Sequence, residues 1–230
     1  MDTSQRRIIL DSLGLGIGVG TYGLTFGAIA TASGLSVLQT CALSLFAFTG
    51  ASQFAFVGVV ASGGAPLTAA LTATLLGARN MFYSISLAAL LRVRGWRRLA
   101  AAHLVIDEST AMALSHKDPR DARTAFVWTG VTIFVMWNLM TLLGALAGNA
   151  IGDPKVFGLD AAVAAAFLGL VWPRLTDRLA QIVALCSVLI AVALVPFSTP
   201  GVPIIIAGCG AVALGLVWKR LIEHKTGADD

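Results

Sequence analysis

The chain has 230 residues, 57% of them hydrophobic and 12% charged, and a mean hydropathy of +0.84. Soluble domains carry about 25% charged residues, so the composition describes an all-α, polytopic membrane protein with a single integral membrane domain over residues 1–230. The net charge of +4 does not point to nucleic acid, because the Lys and Arg residues stand at the ends of apolar runs, where the positive-inside rule places them.

Seven apolar segments follow one another, at about 12–33, 37–62, 66–91, 124–148, 158–173, 178–197 and 201–219. They predict a bundle of about six to seven membrane segments. The opening MDTSQRR and the run behind it resemble a signal peptide. That run is about twice the usual 7–15 residues and rich in glycine, so it reads as an uncleaved first span. Its sequence LGLGIGVGTYGLTFGAIA lacks the final glycine of a GxGxxG fingerprint, and no strand precedes it, which rejects dinucleotide binding. Gly14 and Gly18, Gly16 and Gly20, then Gly23 and Gly27 are small residues at four-residue spacing. That spacing lets a second helix approach closely in lipid; a flexible or broken helix is the alternative.

The second and third segments carry polar residues near their midpoints: Thr49, Gly50, Ser52 and Gln53 in one, Arg79 and Asn80 in the other. An arginine at the centre of a span costs about 2.5–3.5 kcal/mol on insertion scales, which predicts a buried site with a partner. Arg79 lies about a dozen positions, or roughly 18 Å of helix, from either end of its run, too far for the side chain to reach water. It forms either a structural ion pair or a planar fork for a ligand carboxylate. Tyr83 and Ser84 share its side of the helix, whereas Asn80 points about 100° away. The Thr49–Gln53 stretch either loosens the helix and exposes backbone groups to a ligand, or hydrogen-bonds a neighbouring helix.

Leu99–Leu114 is short and carries His103, Asp107 and Glu108, which predicts an interfacial or cavity-lining helix rather than a span. Adjacent carboxylates are expected to diverge on a helix. One would face the cavity, for a substrate ammonium or a coupling proton, and the other Arg92–Arg98 or Lys117. His103 precedes Asp107 by four residues, a contact spacing. Asp160 and Asp177 flank the fifth segment. Cys41, Cys186 and Cys209 lie far apart in apolar stretches without CxxC spacing and are expected to pack as small hydrophobes. No metal or cofactor motif is present, and no HExxH, P-loop or GxSxG sets out a catalytic group.

The basic clusters at 92–98, 117–123, 174–178 and 219–225 share one side, the cytoplasmic one, only if Leu99–Leu114 does not cross. The C-terminus is then inside. Seven simple crossings leave Arg6 and Arg7 outside, whereas a re-entrant 37–62 brings both termini inside; the sequence leaves both topologies open. The halves 1–116 and 117–230 are a candidate inverted repeat with broken or re-entrant helices.

The run GASQFAFVGVV, the proline-led span ending in ARNMFYSISLA, the Asp107-Glu108-Ser109-Thr110 step and GLDAAVAAAFLGLVWP at 158–173 occur in that order. Together they resemble the AzlC family, the large subunits of bacterial two-component exporters of branched-chain amino acids, over about Leu13–Val217. The resemblance implies export of valine, leucine and isoleucine, with methionine as a related substrate, from the bacterial cytoplasmic (inner) membrane. It also implies a small membrane partner of the AzlD type. The family's GASQF step falls on Gly50–Phe54, its arginine on Arg79, its acidic pair on Asp107 and Glu108, and its later aspartate on Asp160. Gly77 stands where the family often has Asn.

Residues and resemblance agree on the class. An amino acid offers a carboxylate to Arg79, with Gly50, Ser52, Gln53 and Asn80 as further substrate contacts. Its ammonium suits Asp107, Glu108 or Asp160, and its side chain suits apolar walls. A proton or the membrane potential is the expected drive, since no ATP-binding motif occurs. The competing class is a channel or structural membrane subunit, which passes solutes without stereoselectivity.

Overall fold

The computed structural model describes residues 3–151, 168, 169, 171, 172 and 175–226, and all regular structure among them is helical. Four helical runs there are long and apolar enough to cross a bilayer: Thr3–Ala32, Pro66–Leu91, Pro119–Gly148 and Arg178–Phe197.

The first run is α1 (Thr3–Gly20) and α2 (Tyr22–Ala32), divided at Thr21, whose hydroxyl donates to Gly18 O at 2.6 Å. It lies along α9 (Pro119–Ile151), and glycines set the contact. A Cβ on Gly16 would strike Thr132, on Gly20 Met136, on Gly23 the Trp137 backbone, and on Gly27 the backbone of Thr141 and Ala145. Gly14 and Gly18 face open space. From α9, Gly144 meets Leu24, and Gly148 meets Ala28 and Thr31. The paired numbers rise together, so the two helices run parallel. The end of the bundle at Thr3 and Pro119 is called lower, and that at Ala32 and Gly148 upper.

Parallel helices need a connection that returns to the lower end. It begins with α3 (Val37–Phe46), opened by a reciprocal cap in which Gln39 N donates to Ser36 Oγ and Ser36 N to Gln39 Oε1. α3 descends beside α9: Ser44 Oγ reaches Thr141 Oγ1 at 3.4 Å, and beyond the helix end the Phe48 ring meets Phe134 at 5.1 Å. The chain then breaks at Ala47–Gly50, where Gly50 takes φ +63°. Gln53, in α4 (Ala51–Ala61), ties the break together, accepting from Gly50 N at 3.1 Å and donating to Leu43 O at 3.3 Å. Ten residues of straight helix would hold those positions about 15 Å apart. A segment long enough to cross therefore turns back at mid-height.

α4 returns upwards and pairs antiparallel with α5 (Pro66–Gly77): Ser52 faces Gly77, while Val59 and Thr68 both meet Gly201. α5 continues past Ala78 as α6 (Arg79–Leu91), whose Leu87 and Leu91 join Phe126 in a lower core cluster. This run crosses downwards.

Leu99–Leu114 is not one helix. α7 (Trp96–His103) climbs to mid-height, where the His103 ring lies 5.4 Å from Phe134 and 6.1 Å from Phe48. After Leu104–Ile106, α8 (Asp107–Leu114) descends, with Leu104 at Gly130 and Ala113 in the Phe126 cluster. Buried Ser109 pins this tip, accepting from Ile106 N at 3.1 Å and donating to Leu104 O at 2.6 Å.

Two consecutive units of opposite direction thus lie within residues 3–114. Each is a crossing followed by a helix hairpin that reaches mid-height from the end the crossing has arrived at. This relation falls inside the first of the two halves expected from the sequence; residues 152–167 of the second lie outside the described residues. α10 (Arg178–Leu194) and α11 (Val202–Thr226) form a further hairpin, and α11 follows α5 downwards, with Gly201 at Thr68 and Gly208 at Leu75.

Candidate functional site

Four helix interruptions fall at one height: Thr21, Ala47–Gly50, Ala78 and Leu104–Ile106. The contacts Gly20–Met136, Phe48–Phe134, Ser52–Gly77 and Leu104–Gly130 fix that level. Between them lies a cavity of about 390 Å³, within the usual range of small-molecule sites. Its position halfway along the Pro66–Leu91 run places it near the midplane of any bilayer that run crosses.

Arg79 opens α6 and Asp107 opens α8, and the two meet in the cavity wall with Nε 3.1 Å from Oδ1. Their side chains are 20% and 18% exposed. Arg79 Nη1 also donates to Leu76 O at 3.3 Å, at the point where the backbone ladder gives way to the bond from Met81 N to Ala78 O. Asp107 stands in the first turn of α8, the end of the helix at which the backbone dipole is positive. Glu108 lines the same cavity. The two carboxylates therefore do not diverge as the sequence led one to expect. Both occupy the first turn at a hairpin tip that the cavity surrounds, so a 100° separation leaves both on its wall.

Gly50 and Ala51 bring the N-terminal end of α4 to the opposite wall. The starts of α4, α6 and α8 thus converge on one space. Helix N-termini carry roughly half a positive charge each, an arrangement suited to an anionic group. The remainder of the described wall is mostly apolar: Val19, Phe48, Phe54, Leu76, Ile106, Ile133, Trp137 and Val171, with Tyr22, Thr49 and Gly169 beside them.

Three residues expected at the site lie off this wall. Ser52 is 5% exposed; it faces Gly77 and a second cavity of about 300 Å³ behind the hairpin tip, and its hydroxyl has no hydrogen-bond partner among the described residues. Gln53 spends both ends of its amide on the backbone, as described above. Asn80 belongs to neither cavity, and its buried Oδ1 has no partner among the described residues. Asp160 lies outside the described residues. Gly77 has a physical reason: a Cβ there would come within 3.2 Å of Ser52 Oγ, so glycine lets α4 and α5 close at the break.

The aromatic and aliphatic wall was missed in the sequence, because its described residues come from six separate segments and none of them is unusual in a span. Trp137 alone carried a signal, a polar-edged aromatic followed by Asn138 in mid-run. It is 4% exposed, and its Nε1 has no partner among the described residues. Among those residues no cluster of three His, Cys, Asp or Glu could hold a metal.

The family described as "AzlC protein" matches residues 14–151, which contain both hairpins, both ends of the ion pair and most of the cavity wall. The chain is 29% identical over 153 residues to the inner membrane protein YgaZ of Escherichia coli K12, covering 64% of this chain and 62% of that one. It is 23% identical over 150 residues to an uncharacterized membrane protein of Helicobacter pylori J99, covering 64% of each. The chain thus matches less than two thirds of the length of either relative. No solved structure matches. A family match across more than half of its residues, including the whole inverted pair of units from Gly14 onward, makes this chain a polytopic membrane protein of the AzlC family.

Proposed function

We propose that the chain exports branched-chain and related hydrophobic amino acids, and that the mid-height cavity holds the substrate. The observation that carries this reading is the Arg79–Asp107 pair set into an apolar wall at the meeting point of both hairpins. A zwitterion supplies a carboxylate for the Arg79 fork and an ammonium for the acidic pair at the start of α8. Its side chain meets Val19, Phe54, Leu76 and Trp137. Weak binding suits this task, since an exporter must release what it takes up.

The lower end carries Arg6, Arg7, Arg92, Arg94, Arg97, Arg98, Lys117, Arg120 and Arg123, and α11 runs towards it. By the positive-inside rule that end, with both termini, faces the cytoplasm across the inner membrane. A small AzlD-type subunit is the proposed partner, supported by the family resemblance. Cells expressing the chain with that subunit should lose preloaded labelled valine or leucine faster than cells lacking it, with preference for the L-enantiomer. Unchanged efflux with both subunits present in the membrane would overturn the reading, and efflux without saturation or stereoselectivity would make the protein a channel.

A further inference from the structure

From Asn80 to Ile106 the sequence contains no Asp or Glu, yet it places four arginines within seven residues, Arg92, Arg94, Arg97 and Arg98. The turn between α6 and α7 gathers them at the lower end. Arg92 takes φ +49° and Gly95 φ +61°, which reverses the chain between the two helices. Val93 packs against the Leu87, Leu91 and Phe126 cluster, whereas Arg92 and Arg94 on either side of it stay exposed. Arg97 and Arg98 follow in the first turn of α7 and are exposed as well. None of the four forms an ion pair among the described residues, where the pairs are Arg7–Asp11 and Arg79–Asp107. The stretch from Lys117 to Arg123 differs: there Lys117, Arg120 and Arg123 are interleaved with Asp118 and Asp121.

Little holds α7 to the bundle. None of its residues is buried; Ala101 reaches the Phe126 cluster, and the His103 ring reaches Phe48 and Phe134. At its base Trp96 and Leu99 are 74% and 76% exposed, three residues apart and so on one face. The Arg97 guanidinium lies 5.9 Å from the centre of the Trp96 ring. An exposed indole beside arginines, next to the end of a crossing run, marks a bilayer interface, where the ring sits at headgroup level. We propose that the arginines at 92–98 bind the headgroup phosphate of an anionic phospholipid, with Trp96 and Leu99 against the start of its acyl chains, and that this lipid holds the α7–α8 hairpin to the bundle. The inference needs only the membrane placement of the lower end, not the transport reading.

The chemistry of the two sides matches. A guanidinium presents paired N–H donors to phosphate oxygens and is more weakly hydrated than an ammonium, so it gives up its water at less cost. Four cations on one short turn repel each other; an anionic headgroup removes that repulsion, whereas a zwitterionic headgroup brings a cation of its own. Basic residues grouped beside a crossing helix each strengthen anionic lipid binding about fivefold. A soluble phosphate would suit the arginines alone; the apolar pair beside them commits the surface to a lipid. Arg92 has a second task, since its Nε donates to Ala89 O at 3.2 Å and closes the end of α6. Arg94 and Arg98, whose side chains make no such bond among the described residues, are therefore the ones to alter.

The test uses the purified full-length chain in a neutral detergent and three probes: phosphatidylglycerol, phosphatidylcholine, and glycerophosphoglycerol, which is the first headgroup without acyl chains. Native mass spectrometry counts what is bound, and thermal unfolding reads its hold on the fold. Phosphatidylglycerol should bind at least about tenfold more tightly than phosphatidylcholine and raise the unfolding temperature. Glycerophosphoglycerol should do neither. Combining Arg94→Gln with Arg98→Gln should weaken phosphatidylglycerol binding roughly 25-fold, and Arg94→Lys with Arg98→Lys should weaken it less. Arg120→Gln with Arg123→Gln should leave it unchanged. Phosphatidylglycerol brominated in its acyl chains should quench the tryptophan emission of the wild type more than that of Trp96→Phe. Equal binding of the two lipids overturns the proposal, as does equal quenching, or a loss in the Arg120 and Arg123 variant as large as in the Arg94 and Arg98 one. Tight binding of glycerophosphoglycerol would make this a site for soluble phosphate esters and overturn the lipid. If the Arg94 and Arg98 variant does not fold, the ranking of the three probes on the wild type decides the matter. None of these readouts measures transport, so their failure leaves the amino acid reading standing.

Discussion

Arg79 and Asp107 are 28 residues apart in the chain and 3.1 Å apart in space, each at the first position of a helix. The bond ties the midpoint of the downward crossing to the tip of the hairpin that follows it. Removing one member of a buried pair costs about 3–5 kcal/mol, because the other charge is left uncompensated. Here the cavity gives both side chains some access to water, which places the loss at the low end of that range. Arg79→Ala should abolish efflux while the protein still inserts, and Arg79→Lys, which keeps the charge but not the fork, should retain less than about a tenth of it. Efflux of labelled leucine, normalised to membrane protein level, reads both. Normal export by Arg79→Ala would remove this residue from the site.

The topology has its own test. Cysteines placed at Ser33 and Ser62 flank the α3–α4 hairpin and should react with a membrane-impermeant maleimide from the same side. Cysteines at Arg6, Arg94 and Lys117 should react from the opposite side. If residues 37–61 crossed the bilayer, the Ser33 and Ser62 labels would appear on opposite sides.

Composition alone made the membrane class legible, and the four-residue glycine spacing announced a close helix contact. Which glycines made it was not legible, because Gly14–Gly18 and Gly16–Gly20 are the same pattern two residues out of phase. Only the position of α9 decides between them. The break at Thr49–Gln53 was visible as polarity, yet its reversal depends on Gln53 reaching Leu43, a contact between residues that a straight helix would hold apart. Likewise the acidic pair could be singled out from its setting among apolar residues, but its height in the bundle depends on α7 climbing to Phe134, which no local pattern encodes.

The glycine face gives a paired prediction. A Cβ on Gly23 or Gly27 would meet the backbone of α9, which cannot rotate away. Gly23→Ala and Gly27→Ala should each destabilise the fold by about 1–3 kcal/mol, the usual cost of overpacking. Gly14→Ala and Gly18→Ala meet nothing and should stay within about 0.5 kcal/mol of wild type. Thermal aggregation onset in detergent would rank the four, and equal loss across both pairs would contradict the parallel packing of the α1–α2 run on α9.

Gln53 is expected to act on the scaffold. Gln53→Ala strips Gly50 N of its side-chain partner and takes one of two bonds from Leu43 O, which keeps Ala47 N, at a position that is 1% exposed, at a cost of about 1–3 kcal/mol. Gln53→Glu keeps the acceptor for Gly50 N but loses the donor to Leu43 O, so it should fall between Ala and wild type. Both variants should lower protein level or thermal stability more than they alter leucine affinity. A variant with wild-type stability and a large change in affinity would place Gln53 in the binding site.

The cavity wall should set the size of the substrate. Val19 and Leu76 reach the cavity from two different helices, and Phe54 and Trp137 stand with their rings 6.2 Å apart and nearly perpendicular. Substituting Val19→Phe or Leu76→Phe fills part of the 390 Å³ without touching the Arg79–Asp107 pair. Each methylene of fit in an apolar pocket is worth about 1–3 kcal/mol, or roughly 10–200-fold in preference. The filled variants should therefore export alanine or valine in preference to leucine, while Phe54→Ala should shift preference towards larger side chains at some cost in stability. Because the charged end is untouched, the pH dependence of transport should be the same in all three. Competition between labelled valine and unlabelled leucine or phenylalanine measures the ranking. A ranking that does not move when Leu76 is enlarged would mean that the side chain of the substrate lies elsewhere.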